Sequence, residues 1–178
     1  NAFANTSSSI VVSKVQGNVV DLLVPPLGPG ELLFGLAVAG MTRGLFVGIV
    51  TALVLVVFGG GAMPPHPLIA LSFLILGAFA MSLAGIIAGI WANKFDELAA
   101  ITNFVVQPLT FLSGTFYSVD RLPAPFDVVA SLNPVFYTID GFRYGMIGIS
   151  DRPLLTGLIC LFAVNVVLVI FCYKALHS

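Results

Sequence analysis

The side chains that ordinarily do covalent or acid–base chemistry are few in this chain and badly placed for it. His66 stands alone among prolines and His177 lies at the far end. No His-Glu-x-x-His pair occurs, and no two carboxylates share an apolar stretch. Zinc hydrolysis and paired-carboxylate catalysis therefore lack their parts. Cys160 and Cys172 lie in one apolar run, about 18 Å apart at helical rise, which exceeds disulfide reach. Both read as apolar packing residues. No metal ligand set and no catalytic residue is expected in this chain.

The polar groups that remain concern binding and assembly. Asn103 and Gln107 interrupt an apolar run four residues apart, so they share one helix face. Amides in hydrocarbon turn toward protein or water, which leaves two readings, helix–helix hydrogen bonding or the lining of a translocation pathway. Pro108 follows directly, cannot donate to residue 104, and should kink the helix. Arg43 is the one charged residue inside an apolar run. It stands near one end of the uncharged part, where it can snorkel to the headgroups or face a cavity. Asp140 and Arg143 are three apart and can pair.

Four nearly uncharged runs must position these groups: Leu32–Phe58, Leu68–Ala92, Leu98–Val119 and Leu154–Tyr173. Each has the roughly twenty residues that a helix needs to cross about 30 Å of hydrocarbon. Hydrophobic residues make up 58% of the chain and charged ones 8%, against roughly 25% charged in soluble domains. The expected fold is an all-α integral membrane protein with crossings at about 32–58, 68–92, 98–119 and 154–173. A net charge of −1 gives no sign of a nucleic-acid partner. Gly40, Gly44 and Gly48, and the small residues Ala80, Ala84, Gly85, Ala88 and Gly89, offer close helix packing.

The connections carry their own signals. Residues 1–30 divide from 31–178: Phe3 to Val12 reads as the frayed end of a preceding helix. Lys14 to Val24 has the spacing of a short amphipathic helix at an interface, stopped by Pro25-Pro26. Residues 120–150 are charged yet rich in aromatic and apolar side chains. Asn133-Pro134 there suits a turn that opens a second helix, so the region reads as two short helices dipping into one leaflet. Positive charges do not orient the chain: Lys14, Lys94 and Lys174 fall on one side, and Arg121, Arg143 and Arg152 on the other. The chain starts without Met, in polar sequence, and reads as a piece whose preceding helices are missing.

Gly114-Thr-Phe-Tyr-Ser-Val-Asp-Arg-Leu-Pro123, Ser131-Leu-Asn-Pro-Val-Phe-Tyr137, Asp140-Gly-Phe-Arg-Tyr-Gly145 and Gly148-Ile-Ser-Asp151 closely resemble the ABC-2 type transporter permeases. The bacterial branch of drug, polysaccharide and nodulation-factor exporters is the one they look like. Lys14-Val-Gln-Gly17 and Asp21-Leu-Leu-Val-Pro-Pro26 are similar to that family's segment before its third crossing. The resemblance implies a six-helix permease of which this chain holds crossings three to six. It makes residues 14–24, with Lys14, Gly17, Asp21, Leu22 and Leu23, the coupling helix that contacts an ABC ATPase subunit. It makes 120–150, with Asn133, Pro134, Tyr137, Asp140 and Arg143, the extracytoplasmic re-entrant pair.

The same resemblance implies export across the bacterial inner (plasma) membrane of an amphipathic, lipidic or glycan-type cargo. A second permease copy and membrane lipids are the other partners. The chain has no phosphate loop Gly-x-x-x-x-Gly-Lys-Ser/Thr, so ATP and Mg are expected on the separate ATPase subunit and no cofactor here. The competing reading is an ion-gradient-driven carrier or channel, which commonly places ionisable residues near the bilayer midplane.

Overall fold

Apolar sequence in hydrocarbon satisfies its backbone by forming helix, and helix dominates this computed structural model. It describes residues 1–17, 28–59, 63–113 and 133–177. In chain order come α1 (Ala2–Val15), α2 (Pro29–Phe58), α3 (Pro67–Trp91), α4 (Phe95–Ile101), a π-helical turn (Thr102–Val106), α5 (Gln107–Phe111), α6 (Pro134–Ile147) and α7 (Leu154–His177). Three of these, α2, α3 and α7, are long and apolar enough to cross a membrane. The expected crossing at 98–119 is described only to residue 113, as α4, the π turn and α5 run end to end.

Local chemistry sets the boundaries. Pro29, Pro67 and Pro134 open α2, α3 and α6 at positions where a helix needs no N–H. The Glu31 carboxylate accepts from the Gly28 N–H at 2.9 Å, closing the first turn of α2. Gly148 takes φ 76° to end α6, a left-handed cap that glycine adopts without a side-chain penalty.

The central element is α3, with eleven buried residues against three in α2 and four in α7. Small residues let neighbours reach its backbone. A methyl added at Gly40 of α2 would lie 2.3 Å from Ser82 Oγ, and one at Gly85 would lie 2.1 Å from Thr6 Oγ1. Hydroxyl and thiol groups then bond across the contacts. Thr6 donates to the Ser82 carbonyl at 3.0 Å, Ser82 to that of Ala37 at 3.0 Å, and Cys172 to that of Leu83 at 3.4 Å. The outward side of α2 carries Phe46, Leu53, Val57 and Phe58, an apolar face that hydrocarbon accepts.

Three expectations change. The stretch Phe3–Val12 is not frayed: it belongs to α1, where Phe3, Thr6, Ser7 and Val11 are buried. Its serines are small enough for close packing and satisfy themselves along the helix, as Ser7 Oγ does on the Phe3 carbonyl at 2.7 Å. The helix that the sequence starts at Lys14 does not start there. Lys14 and Val15 close α1, and Gly17 at φ 75° breaks the direction. Arg43 is not near an end of its helix: it stands midway along Pro29–Phe58. A methyl on its neighbour Gly44 would lie 3.3 Å from Ala78, which is near the middle of α3.

Candidate functional site

Pro108 lacks the N–H that would bond residue 104, and the chain accommodates it by widening the turn before it. The Gln107 N–H donates to the Thr102 carbonyl, five residues back. Single π turns of this kind recur at functional sites. Asn103 and Gln107 are both exposed, and neither amide side chain has a hydrogen-bond partner among the described residues. The helix–helix hydrogen bond that the sequence allowed is therefore absent from the described part of this chain.

The opposite side of the same helix closes a cavity of about 670 Å³. Phe3 of α1, Met81 and Ala84 of α3, and Ile101, Val105 and Leu109 stand in its wall. The lining is almost wholly apolar, so it accepts acyl chains or ring systems and has little to offer an ion. Asn103 and Gln107 are not among the lining residues: the amides point away from this cavity. Above the cavity Arg43 donates to Asn5 Oδ1 at 2.8 Å, and its side chain is exposed.

At one end of the bundle, Lys14 Nζ donates to the carbonyls of Ile90 and, at 3.0 Å, Ala92. These belong to the last turn and cap of α3, where a helix has no further N–H to offer and where a cation is favoured. Glu97 Oε2 accepts from the Asn93 N–H at 2.8 Å, closing the link into α4. Burial lowers the Lys14 pKa from its ordinary value, and the Glu97 carboxylate opposes that shift. Gly17 follows at the turn. Asp21, Leu22 and Leu23, the other members of the expected coupling helix, lie outside the described residues.

At the other end, Asn133 is buried and its side chain makes three bonds to described residues. Its Oδ1 accepts from the Val135 N–H at 3.0 Å, while Nδ2 donates to the Leu109 carbonyl at 2.7 Å and to Ser113 Oγ at 2.8 Å. The start of α6, with Pro134 in its first turn, is thereby tied to the end of α5. Tyr137 meets Phe136 edge to face at 5.2 Å. Asp140 and Arg143 are brought together at 2.6 Å. Sequence spacing missed the third member, Asp151, which bonds Arg143 at 2.9 Å from across a turn. Asp140 also accepts from the backbone N–H groups of Asp151 and Arg152, at 2.8 and 3.2 Å. The two carboxylates and one guanidinium thus pin the end of α6 to the entry of α7. The first of the two expected short helices, within 120–132, lies outside the described residues. His66 stacks on Tyr144 at 5.1 Å.

A family model described as ABC-2 type transporter matches residues 1–147. The inner membrane transport permease YadH of Escherichia coli K12 is 41% identical over 156 residues, covering 88% of this chain and 60% of that protein. Nodulation protein J of Rhizobium leguminosarum bv. viciae is 29% identical over 149 residues, covering 80% and 56%. Nodulation protein J of Neorhizobium galegae is 28% identical over 137 residues, covering 76% and 50%. The chain thus spans between half and 60% of the length of these relatives. No solved structure matches it.

Proposed function

The chain belongs to the ABC-2 type transporter family, and we propose that it forms the transmembrane permease part of an ABC exporter in a bacterial inner membrane. Its cargo is amphipathic, lipidic or glycan-type, and the ATP is hydrolysed by a separate nucleotide-binding subunit. The observation that carries this reading is the interrupted helix of α4, the π turn and α5. One side of it closes an apolar cavity and the other presents two exposed amides. Amides at that depth need protein or water. A pathway shared with a second permease copy supplies both.

The gradient-driven alternative is disfavoured by the charges present. Arg43 is the one charged side chain inside the apolar runs, and a guanidinium does not release its proton in proteins. It cannot act as a proton relay.

The test uses the full-length permease with its ATPase subunit in proteoliposomes, and a fluorescent amphipath as tracer. Tracer movement should require ATP and Mg and stop without the ATPase subunit. Asn103→Leu with Gln107→Leu should slow it while leaving ATPase binding intact. Movement driven by an ion gradient alone would establish the alternative.

A further inference from the structure

Two helices leave the segment 16–28, α1 at its start and α2 at its end. If that segment receives the push of an ATPase, the contacts of these two helices decide where the push goes. Among the described residues α2 makes no contact with α4, the π turn or α5, whereas α1 contacts α4. The direct route from that segment to the interrupted helix therefore runs through α1, whereas α2 reaches it only by way of α3.

Two layers of contact form that route. Below, Phe3 and Val11 of α1, Ala88 and Ala92 at the end of α3, and Leu98 of α4 make one buried apolar cluster. Ile101 and Val106 of the interrupted helix pack against it. Above, the Lys14 ammonium bonds the Ile90 and Ala92 carbonyls, and Glu97 holds the link at Asn93. Lys14 lies three residues before Gly17, where the helical direction ends. It is the last side chain of α1 that grips another helix before the chain turns away.

We infer that Lys14 is a positioning latch, joining the end of α1 to the end of α3 and the start of α4 so that displacement beyond Gly17 reaches the π turn. This rests on the ABC-permease reading above. Lys14 acts through the helix ends it holds and touches neither nucleotide nor cargo. An apolar cluster alone lets helices slide at little cost. A charged donor on carbonyls at a helix end resists sliding, because movement leaves both the ammonium and the carbonyls unsatisfied. The interrupted helix is the element with somewhere to go, since its π turn is already displaced from regular spacing. Its Ile101, Val105 and Val106 line the cavity.

The test needs no knowledge of the cargo. Full-length permease in complex with its ATPase subunit carries spin labels at Phe104→Cys and Ile75→Cys, both exposed positions, with Cys160 and Cys172 replaced by alanine. Distances are measured without nucleotide and with a non-hydrolysable ATP analogue and Mg. With Lys14 present the distance should shift on nucleotide binding. In the complexes that form with the ATPase subunit, Lys14→Met should abolish the shift, and Lys14→Arg should restore it. A merely structural lysine would move complex formation and the shift together. A full shift in the methionine variant overturns the latch and leaves the ABC reading standing, as does an absent shift with Lys14 in place in a complex that hydrolyses ATP. Failure of any ATPase subunit to bind the wild-type permease overturns the reading itself. Should Lys14→Met not fold, Glu97→Ala removes the acceptor of the Asn93 N–H and loosens the same junction with the ammonium kept. It should shrink the shift, and an unchanged shift there also overturns the latch.

Discussion

Asn133 shows how one buried amide can end one helix and begin another. It caps α6 through the Val135 N–H and holds the end of α5 through the Leu109 carbonyl and Ser113. Asn133→Ala removes a helix cap and two donors at once, so it should destabilise the full permease by about 1–3 kcal/mol. Thermal unfolding in detergent reads this, and an unchanged midpoint would refute it. Arg143 makes a stronger case, since it faces Asp140 and Asp151 within 2.6 and 2.9 Å. Arg143→Leu leaves buried carboxylates without their cation and should cost about 3–5 kcal/mol. Adding Asp140→Asn should return part of the loss, because one of the two carboxylate charges that faced Arg143 is then gone. A double-mutant cycle with purely additive losses would contradict the pairing. The Asp140–Arg143 pair was legible from its spacing of three. Asp151 was not, because it arrives from beyond Gly148 by a turn that no periodicity announces. Asn133 was legible as a turn former but not as a tether, since its partners lie on another helix.

Helices α2, α3 and α7 were legible because length and apolarity decide them, and the start of α6 was legible from Asn133-Pro134. Packing was legible in part: the Gly40, Gly44 and Gly48 stripe was visible, but the helices it meets were not. α1 was legible as helix at Phe3–Val12, but not as ordered and buried up to Val15, because the contacts that bury it lie on another helix. Since a methyl at Gly40 meets Ser82 and Thr6 well inside contact distance, Gly40→Val should cost about 1–3 kcal/mol by forcing helices apart. Gly35, with nothing near its would-be methyl, is the control, and Gly35→Ala should be neutral or slightly stabilising in the same unfolding measurement. The π turn escaped notice for a different reason. Pro108 announces a disturbance, but not whether the helix bends or widens. Deleting Phe104 removes the extra residue of that turn and lets α4 and α5 join as a regular α-helix. Side chains on either side of the deletion keep their faces, because the widened turn had absorbed the extra residue, so only the bulge is lost. Folding should survive while ATP-driven transport fails; transport at the normal rate would deny the π turn any role.

Across the whole molecule, the packing orders the ends of the helices without reference to any relative. Lys14 touches the end of α3, and Tyr173 packs beside Gly30 at the start of α2, so the lysines gather at one end. Arg143 and Arg152 gather at the other, where His66 meets Tyr144. The three lysines and Arg143 with Arg152 therefore fall on two faces; Arg121, the third arginine of that group, lies outside the described residues. Depth between them was not legible for Arg43. Counting uncharged residues from Gly44 assumed that α2 begins its crossing there, whereas α2 starts at Pro29 and its partner α3 fixes the level. Gly44 stands against Ala78, near the middle of a helix of 25 residues, which spans about 37 Å at helical rise. Arg43 is thus about half-way through the bundle, with Asn5 as its described partner. A charge held there must face protein or water instead of lipid tails. A spin label at Arg43→Cys in the full permease, in lipid bilayers with Cys160 and Cys172 replaced by alanine, should report a depth close to that of one on the exposed Ile75 of α3. A label near Pro29 should report headgroup depth or beyond. Relaxation by oxygen and by a water-soluble nickel complex distinguishes the levels, and nickel access at position 43 would further identify a water-filled path. If the label at 43 matched the one near Pro29, the pairing of α2 with α3 at Gly44 and Ala78 would be wrong, and the close contacts around Gly40 with it.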